Sequence, residues 1–114
     1  MPTRALLLTL LLASPMAGRA EDLILLLQQR NCPGCHLEDV DLVHADLRDA
    51  DLQRAQLQRA NLGQALLDGA DLRKSNLRFT TLRGASLRGA DLPGSTLYGT
   101  DLRQARSPSH ACMS

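Results

Sequence analysis

Leucine recurs at every fifth position through most of the chain. Neither a helix, which repeats about every 3.6 residues, nor a strand, which repeats about every 2, produces such a period. The position two before each leucine is usually Ala or Ser, and the position just before it is often Asp or Asn. A fixed short period is typical of a solenoid, in which each unit buries its apolar residues only by stacking on its neighbours. The leucines are Leu37, Leu42, Leu47, Leu52, Leu57, Leu62, Leu67, Leu72, Leu77, Leu82, Leu87, Leu92, Leu97 and Leu102.

The repeated unit Ala-Asp/Asn-Leu-x-x, continuous over residues 35–105, resembles the pentapeptide-repeat family. The resemblance implies an all-β solenoid, a right-handed quadrilateral β-helix with four pentapeptides in each coil and about three and a half coils in this chain. It also implies that the central Leu and the small residue two positions before it point inward. Leu66 stands where Asp or Asn is usual, and we expect it to be an exposed apolar side chain.

The first 20 residues have the organisation of a secretory signal peptide. Arg4 provides the positive start, an apolar run covers residues 5–13, and Gly18 and Ala20 place small residues at the cleavage-determining positions. Residues 1–20 are therefore predicted to be removed after Ala20. The apolar run is shorter than the roughly 20 residues of a membrane span. We expect an exported protein in the periplasm or outside the cell, with an uncleaved N-terminal anchor as the alternative.

The two segments that flank the repeats have different compositions. Residues 21–34 are predicted to form a short capping helix over residues 21–30, with acidic residues at its start, followed by a Cys-x-x-Cys joint. Residues 106–114 are predicted to be a flexible tail. Such a tail would leave the layer at Leu97 and Leu102 uncovered. A second copy of the chain covering this layer would give a homodimer through the C-terminal end of the solenoid.

Cys32, Cys35 and His36 form a C-x-x-C-H sequence, which is the attachment signature of a c-type haem. In that interpretation the thiols bind the porphyrin and His36 ligates the iron. However, Cys35 falls in the small inward register, and exported members of the family that this chain resembles enter their first coil through Cys-Pro-Gly-Cys. The first interpretation is therefore a Cys32–Cys35 disulfide, with covalently attached haem c as the alternative. Cys112 is either free or bridges two chains.

Composition and charge exclude several classes of protein. With 114 residues the chain holds at most one small domain, and with one Tyr, one Phe and no Trp its core must be aliphatic. A formal net charge of +1 removes the bulk electrostatic case for a nucleic-acid partner. The three His are scattered and no phosphate-binding loop follows a strand, so no enzymatic activity is predicted.

The outward positions carry charge unevenly. The first coil is acidic, whereas Arg73, Arg78, Arg83 and Arg88 occupy one outward register on four successive sides, with Lys74 beside them. The first interpretation of this basic girdle is a solvated surface that resists edge-to-edge aggregation. The alternative, a functional hypothesis, is that the girdle docks an anionic surface such as lipid headgroups, cell-wall polymer or an acidic protein.

One column of carboxylates raises the question of a metal site. Asp51, Asp71 and Asp91 are 20 residues apart and would stack about 5 Å from one another. We expect these carboxylates to be neutralised by basic side chains, those of Arg54, Arg73 and Lys74. No metal ion is therefore predicted at this column.

Together these observations predict a non-enzymatic, exported scaffold or protein-interaction module. The DNA mimicry known in the family implies a cytosolic, strongly acidic and longer solenoid, which this sequence does not match. The alternative class is a c-type haem-binding redox protein that uses Cys32, Cys35 and His36.

Overall fold

The computed structural model describes residues 17–107. Helix α1 spans Ala17–Gln29. Its last turn ends at Arg30, whose N–H still donates to the carbonyl oxygen of Leu26 at 2.8 Å and whose φ is +52°. This left-handed residue ends the helix, and the chain enters the solenoid at Asn31. No helix in the described part of the chain is long and apolar enough to span a bilayer.

The solenoid backbone pairs with itself 20 residues further along the chain. Over residues 17–107 there are twelve parallel bridges, the first between Asn31 and Asp51 and the last between Ser86 and Arg106. Hydrogen bonds flank each bridge: for Asp71, its N–H donates to the Ala50 carbonyl and its carbonyl accepts from the Leu52 N–H, both at 2.8 Å. Four pentapeptides therefore make one coil, and each contributes one bridged residue to one side.

The bridges do not extend into longer strands, because a tight turn interrupts the chain in every pentapeptide. In the turn that begins at Leu52, the N–H of Ala55 donates to the Leu52 carbonyl at 3.1 Å, and Arg54 has φ +60°. A left-handed third residue is the mark of a type II turn. The β-structure of the described region therefore consists of stacked single-residue bridges. These are shorter than the strands expected for an all-β solenoid.

The interior is filled by the two registers that the sequence predicts to point inward. Each repeat leucine from Leu37 to Leu92 is at most 3% exposed, and most of the alanines two positions earlier are buried with them. Thr80 replaces alanine in this register, and its buried hydroxyl donates to the Leu57 carbonyl at 2.6 Å. Leu66 is 39% exposed, as expected from its outward register.

The N-terminal end of the solenoid is covered by α1. Leu26 is completely buried in the same cluster as the repeat leucines, and Leu23 packs against that cluster. Cys32, also completely buried, occupies the position that Leu holds in later repeats, so the ladder starts one repeat before residue 35. The helix begins at Ala17 rather than at residue 21, because Ala17, Arg19 and Ala20 are good helix formers and outweigh the unfavourable Gly18. Most of the predicted signal peptide, residues 1–16, lies outside the described residues.

The C-terminal end differs from the N-terminal end. Leu97, Leu102 and Ala105 are only partly buried against the core. The ladder includes Arg106, which the sequence assigned to the tail, because its carbonyl accepts from the Leu87 N–H at 2.9 Å. Residues 108–114, including Cys112, lie outside the described residues.

Candidate binding surface and cysteine joint

The outward arginines occupy the second residue of the turn, just after a buried leucine. Arg73, Arg78, Arg83 and Arg88 are exposed at this position on four consecutive sides of the solenoid, and Lys74 is exposed next to Arg73. The turn fixes the backbone while the neighbouring leucine is held in the core. The guanidinium groups therefore project from one coil in four directions.

Arg73 differs from the other three because a carboxylate holds its guanidinium. Its Nε lies 2.9 Å from Oδ1 of Asp71 and its Nη2 lies 2.7 Å from Oδ2. The hydrogen bonds from Arg73 lower the pKa of Asp71, and Asp71, with smaller contributions from Asp91 and Asp51, raises the pKa of Arg73. Arg73 is thus the cation that balances the aspartate column.

Arg54 and Lys74 were expected to share that role. Neither forms an ion pair with another residue in 17–107. The aspartate column is therefore balanced in this structure through the bidentate Arg73–Asp71 contact, and the charge on Lys74 remains on the outer surface beside it.

Arg78, Arg83 and Arg88 form no ion pair within the described residues. The residue two positions earlier explains the difference from Arg73. Arg48 and Arg103 follow Asp46 and Asp101 at the same spacing, and each of these pairs is in contact at 2.8 Å. The corresponding residues before the three unpaired arginines are neutral: Asn76, Thr81 and Ser86. A sequence Asp-Leu-Arg neutralises itself, whereas Asn-, Thr- or Ser-Leu-Arg leaves the cation free.

An exposed aromatic pair lies next to Arg78. The rings of Phe79 and Tyr98 meet edge to face, with centroids 5.5 Å apart, and the residues are 54% and 71% exposed. They are the only aromatic residues of the chain. Phe79 lies against Gly99, where an added Cβ would be 2.5 Å from Cδ1 of the ring. The sequence analysis missed this pair. The 20-residue coil stacks position 99 on position 79, which brings the neighbouring Tyr98 beside Phe79.

The two cysteines of the C-x-x-C-H sequence lie inside the joint between α1 and the first coil. Cys32 and Cys35 are 0% and 6% exposed, their Cα atoms are 5.4 Å apart, and their sulfur atoms are bonded to each other. The Sγ of Cys32 lies 3.3 Å from the Asp22 carbonyl oxygen, and the N–H of His36 donates to Asp22 Oδ2 at 2.8 Å. Asp22 therefore connects the helix to both sides of the cysteine pair.

The haem interpretation requires both sulfurs and the imidazole of His36 to face one ligand. The sulfurs are buried, whereas the His36 side chain is 70% exposed and its Nδ1 lies 3.3 Å from Oε1 of Glu38. Oxygen and sulfur atoms of Asp22, Cys32 and Cys35 do lie within 4.8 Å of one another, in principle a metal-binding set. With the two sulfurs bonded to each other, this geometry fits a covalent brace better than either a haem or a metal ligand set.

The repeating turns, the 20-residue ladder and the buried leucine column define a pentapeptide solenoid. A family model for pentapeptide repeats matches with eight copies over residues 27–57, 50–88 and 70–106. The chain therefore belongs to the pentapeptide-repeat family, whose members form right-handed quadrilateral β-helices. A comparison with curated protein sequences gave no match.

Solved structures of the same family resemble this chain. The pentapeptide repeat protein alr5209 from Nostoc PCC 7120 is 32% identical, with a TM-score of 0.54 over 75% of this chain and 72% of its own. The plasmid-mediated fluoroquinolone resistance protein QnrB1 is 20% identical, with a TM-score of 0.43 over 66% and 47% of the two chains. Rfr23 from the cyanobacterium Cyanothece 51142 is 24% identical, with a TM-score of 0.28 over 79% and 95%.

Proposed function

We propose that this protein is an exported, non-enzymatic binding scaffold that docks an anionic surface through Arg78, Arg83 and Arg88. The observation that carries the proposal is the contrast among arginines of one register. Arg48, Arg73 and Arg103 are neutralised by neighbouring aspartates, whereas the three proposed docking residues are exposed and have no carboxylate partner in the described structure.

The three free guanidinium groups project from three consecutive sides of one rigid coil, so a flat anionic surface contacts one or two of them directly and the others act on it through their field. Each cation near an anionic bilayer contributes on the order of 1 kcal/mol to binding, and the contribution falls within a Debye length. Lys74 adds to this field, while the bidentate contact with Asp71 removes most of the contribution of Arg73. The docking surface is thus smaller than the full girdle and is centred on residues 78–88.

The compartment and the joint are further parts of the proposal. The leader-like residues 1–20 support export, and an oxidising compartment would keep Cys32 and Cys35 as a disulfide that braces α1. The closed cysteine joint and the small aliphatic core support a structural and binding role. The partly buried Leu97 and Leu102 support self-association through the C-terminal end.

Vesicle binding by charge-matched variants tests the docking surface. In the first variant, Arg78→Gln, Arg83→Gln and Arg88→Gln are combined. In the control, Arg48→Gln, Arg59→Gln and Arg73→Gln remove the same net charge from ion-paired positions. Sedimentation with vesicles of phosphatidylglycerol mixed into phosphatidylcholine gives the bound fraction for each protein.

We expect the first variant to lose at least about tenfold in affinity and the control to lose much less, because the control residues are already neutralised. Raised salt should weaken wild-type binding. Equal losses in both variants would show that net charge alone acts, which contradicts a localised docking surface. If the wild-type protein does not prefer anionic over neutral vesicles, docking to lipid headgroups is rejected. Retention on a column of anionic polymer gives the corresponding test for cell-wall polymer.

A further inference from the structure

A polar groove of about 390 Å³ runs along one side of the solenoid, over successive coils. It is lined by side chains from the repeats that contain Leu42, Leu62, Leu82 and Leu102. Those with hydrogen-bonding groups are His44, Asn61, Gln64, Thr81, Arg83 and Gln104. We propose that this groove is a binding site for a carboxylated sugar, such as a uronic acid unit of an acidic oligosaccharide.

Two glycines create the groove. Gly63 occupies the turn position that carries Gln58 or Arg78 on the preceding side, and Gly84 occupies the next turn position on the following coil. A Cβ at Gly63 would lie 3.1 Å from Oδ1 of Asn61, and one at Gly84 would lie 3.2 Å from Cγ of Gln64. Gly63 is the one glycine at its turn position in the described repeats, so this side lacks a side chain that every other turn carries there. Glycine at the next turn position, as at Gly84, also occurs on other sides, at Gly69, Gly89, Gly94 and Gly99.

Most of the polar side chains that line the groove are not used by the fold. Within residues 17–107, the side chains of Gln64, Thr81 and Gln104 make no hydrogen bond, and Arg83 makes no ion pair. Oδ1 of Asn61 accepts from the Gly63 N–H at 3.0 Å, which leaves the amide NH₂ available. Amides and hydroxyls both donate and accept, so they match the hydroxyl groups of a sugar.

The charge of the groove selects among sugars. Arg83 supplies a free guanidinium, and none of the residues that line the groove carries a carboxylate. An anionic ligand at Arg83 therefore meets a strong donor that is bonded to no carboxylate, and a guanidinium matches the planar fork of a carboxylate. Asp101, which is bridged to Thr81, acts on Arg83 through its field, but its carboxylate is held by Arg103. The single cation in a field of neutral polar groups favours a carboxylate on a hydroxyl-rich ligand over a dense polyanion.

An apolar edge beside the groove completes this chemistry. The turn that carries Phe79 leads directly into Thr81, which lines the groove, and Phe79 and Tyr98 expose their rings at that corner. A pyranose has an apolar C–H face as well as hydroxyl groups, and exposed aromatic rings provide a surface on which it can pack. Neither ring lines the groove itself, so the aromatic pair would contact a further unit of an oligosaccharide whose carboxylated unit lies at Arg83.

Titration of the ¹⁵N-labelled exported protein with trigalacturonate, followed by amide chemical shifts, tests the inference. Its methyl ester has the same ring hydroxyls without the negative charge and serves as the ligand control. Arg83→Gln removes the proposed contact, whereas Arg88→Gln removes the same charge one side away and outside the groove. Gly63→Gln fills the groove, at a residue whose φ is not in the left-handed region.

We expect shifts centred on residues 61–64, 81–84 and 104, a loss of about tenfold or more in affinity with Arg83→Gln, and less than about twofold with Arg88→Gln. The methyl ester should bind more weakly than the acid, and Gly63→Gln should abolish the shifts while leaving the amide spectrum folded.

The groove shares Arg83 with the proposed docking surface, and in this respect the inference rests on the proposed function. The experiment therefore has to distinguish failure of the groove from failure of the docking surface. Equal losses in Arg83→Gln and Arg88→Gln, or no binding of trigalacturonate while anionic vesicles still bind, would overturn the groove and leave the docking surface intact. Absence of both bindings would overturn both proposals.

Discussion

The two ends of the solenoid are made from the same repeat but are covered differently. At the N-terminal end, α1 places the completely buried Leu26 on the leucine column, and the cysteine pair fixes the joint. At the C-terminal end, Leu97 and Leu102 are only partly buried within the described part of the chain. Each repeat buries its leucine by stacking on both neighbours, so a terminal repeat lacks half of its cover. Segments outside the repeat therefore decide how stable each end is.

The largest expected effect compares a central leucine with a terminal one. Leu62→Ala should lower the free energy of unfolding by about 2–5 kcal/mol, because Leu62 is completely buried between coils and its loss leaves a cavity. Leu102→Ala should cost clearly less, since Leu102 is already partly exposed. Urea unfolding of both variants measures the difference. Equal losses would mean that the C-terminal end is covered as fully as the middle, as a homodimer would cover it.

Opening the N-terminal joint should have the next largest effect. Replacing Cys32 and Cys35 together by Ala should lower the free energy of unfolding by about 2 kcal/mol in the oxidised protein, as expected for so short a loop. The same substitution at Cys112 is the control, and it should leave the stability of the monomer unchanged. If wild type and the double variant unfold at the same urea concentration without reductant, the cysteine pair does not brace the joint.

Removing the free arginines should change stability very little. Arg78, Arg83 and Arg88 make no ion pair in the described structure, so their combined replacement by Gln should leave the urea midpoint almost where it is in wild type. Arg73→Gln breaks the bidentate contact with Asp71 and should lower the midpoint slightly. A large loss in the triple variant would reveal a structural role for these arginines and would remove the basis for treating them as a docking surface.

The smallest effect is a difference between carboxylates at the two ends. Hydrogen bonds from Arg103 lower the pKa of Asp101 from 3.8 to about 2, while Arg48, with help from Arg30, holds the pKa of Asp46 well below its usual range. Asp46 should therefore titrate at lower pH than Asp101. Carboxyl carbon shifts in an NMR titration measure both groups.

The sign of the pH dependence follows from the lowered pKa. The Asp101–Arg103 contact stabilises the folded state above the ordinary aspartate pKa, and this contribution is lost as the pH falls from 3.8 through about 2. Arg103→Gln should return the pKa of Asp101 toward 3.8. Arg83→Gln should raise it much less, since Arg83 acts on Asp101 through its field alone. No change with Arg103→Gln would contradict the contact.

The core was predictable from the sequence because burial repeats with the same period as leucine. Cys32 was missed as a core residue because the count of repeats began at Leu37, although it stands five positions earlier. Among the arginines that follow a repeat leucine, the sequence also distinguishes the ion-paired ones from the unpaired ones, because the residue two positions before each arginine is Asp in the paired case and neutral in the unpaired case. These features depend on neighbours within one pentapeptide.

The remaining features required the three-dimensional coil. Phe79 and Tyr98 are 19 positions apart and meet only because successive coils stack at 20-residue spacing. The groove likewise depends on Gly63 and Gly84, which lie on neighbouring coils and carry no signal in the linear pattern. The bounds of α1 could not be read from the repeat, because the helix is set by its own composition and by where Leu26 reaches the core.

The intact mass of the exported protein, measured with and without reductant after expression in a host that matures c-type cytochromes, tests most directly whether this is an exported scaffold with a closed N-terminal joint. We expect a chain that begins at Glu21 and is lighter by two hydrogen atoms until it is reduced. A chain that retains residues 1–20, or free thiols at Cys32 and Cys35, would contradict the export or the brace, respectively. A mass increased by one covalently bound haem would contradict the scaffold assignment and identify a c-type redox protein.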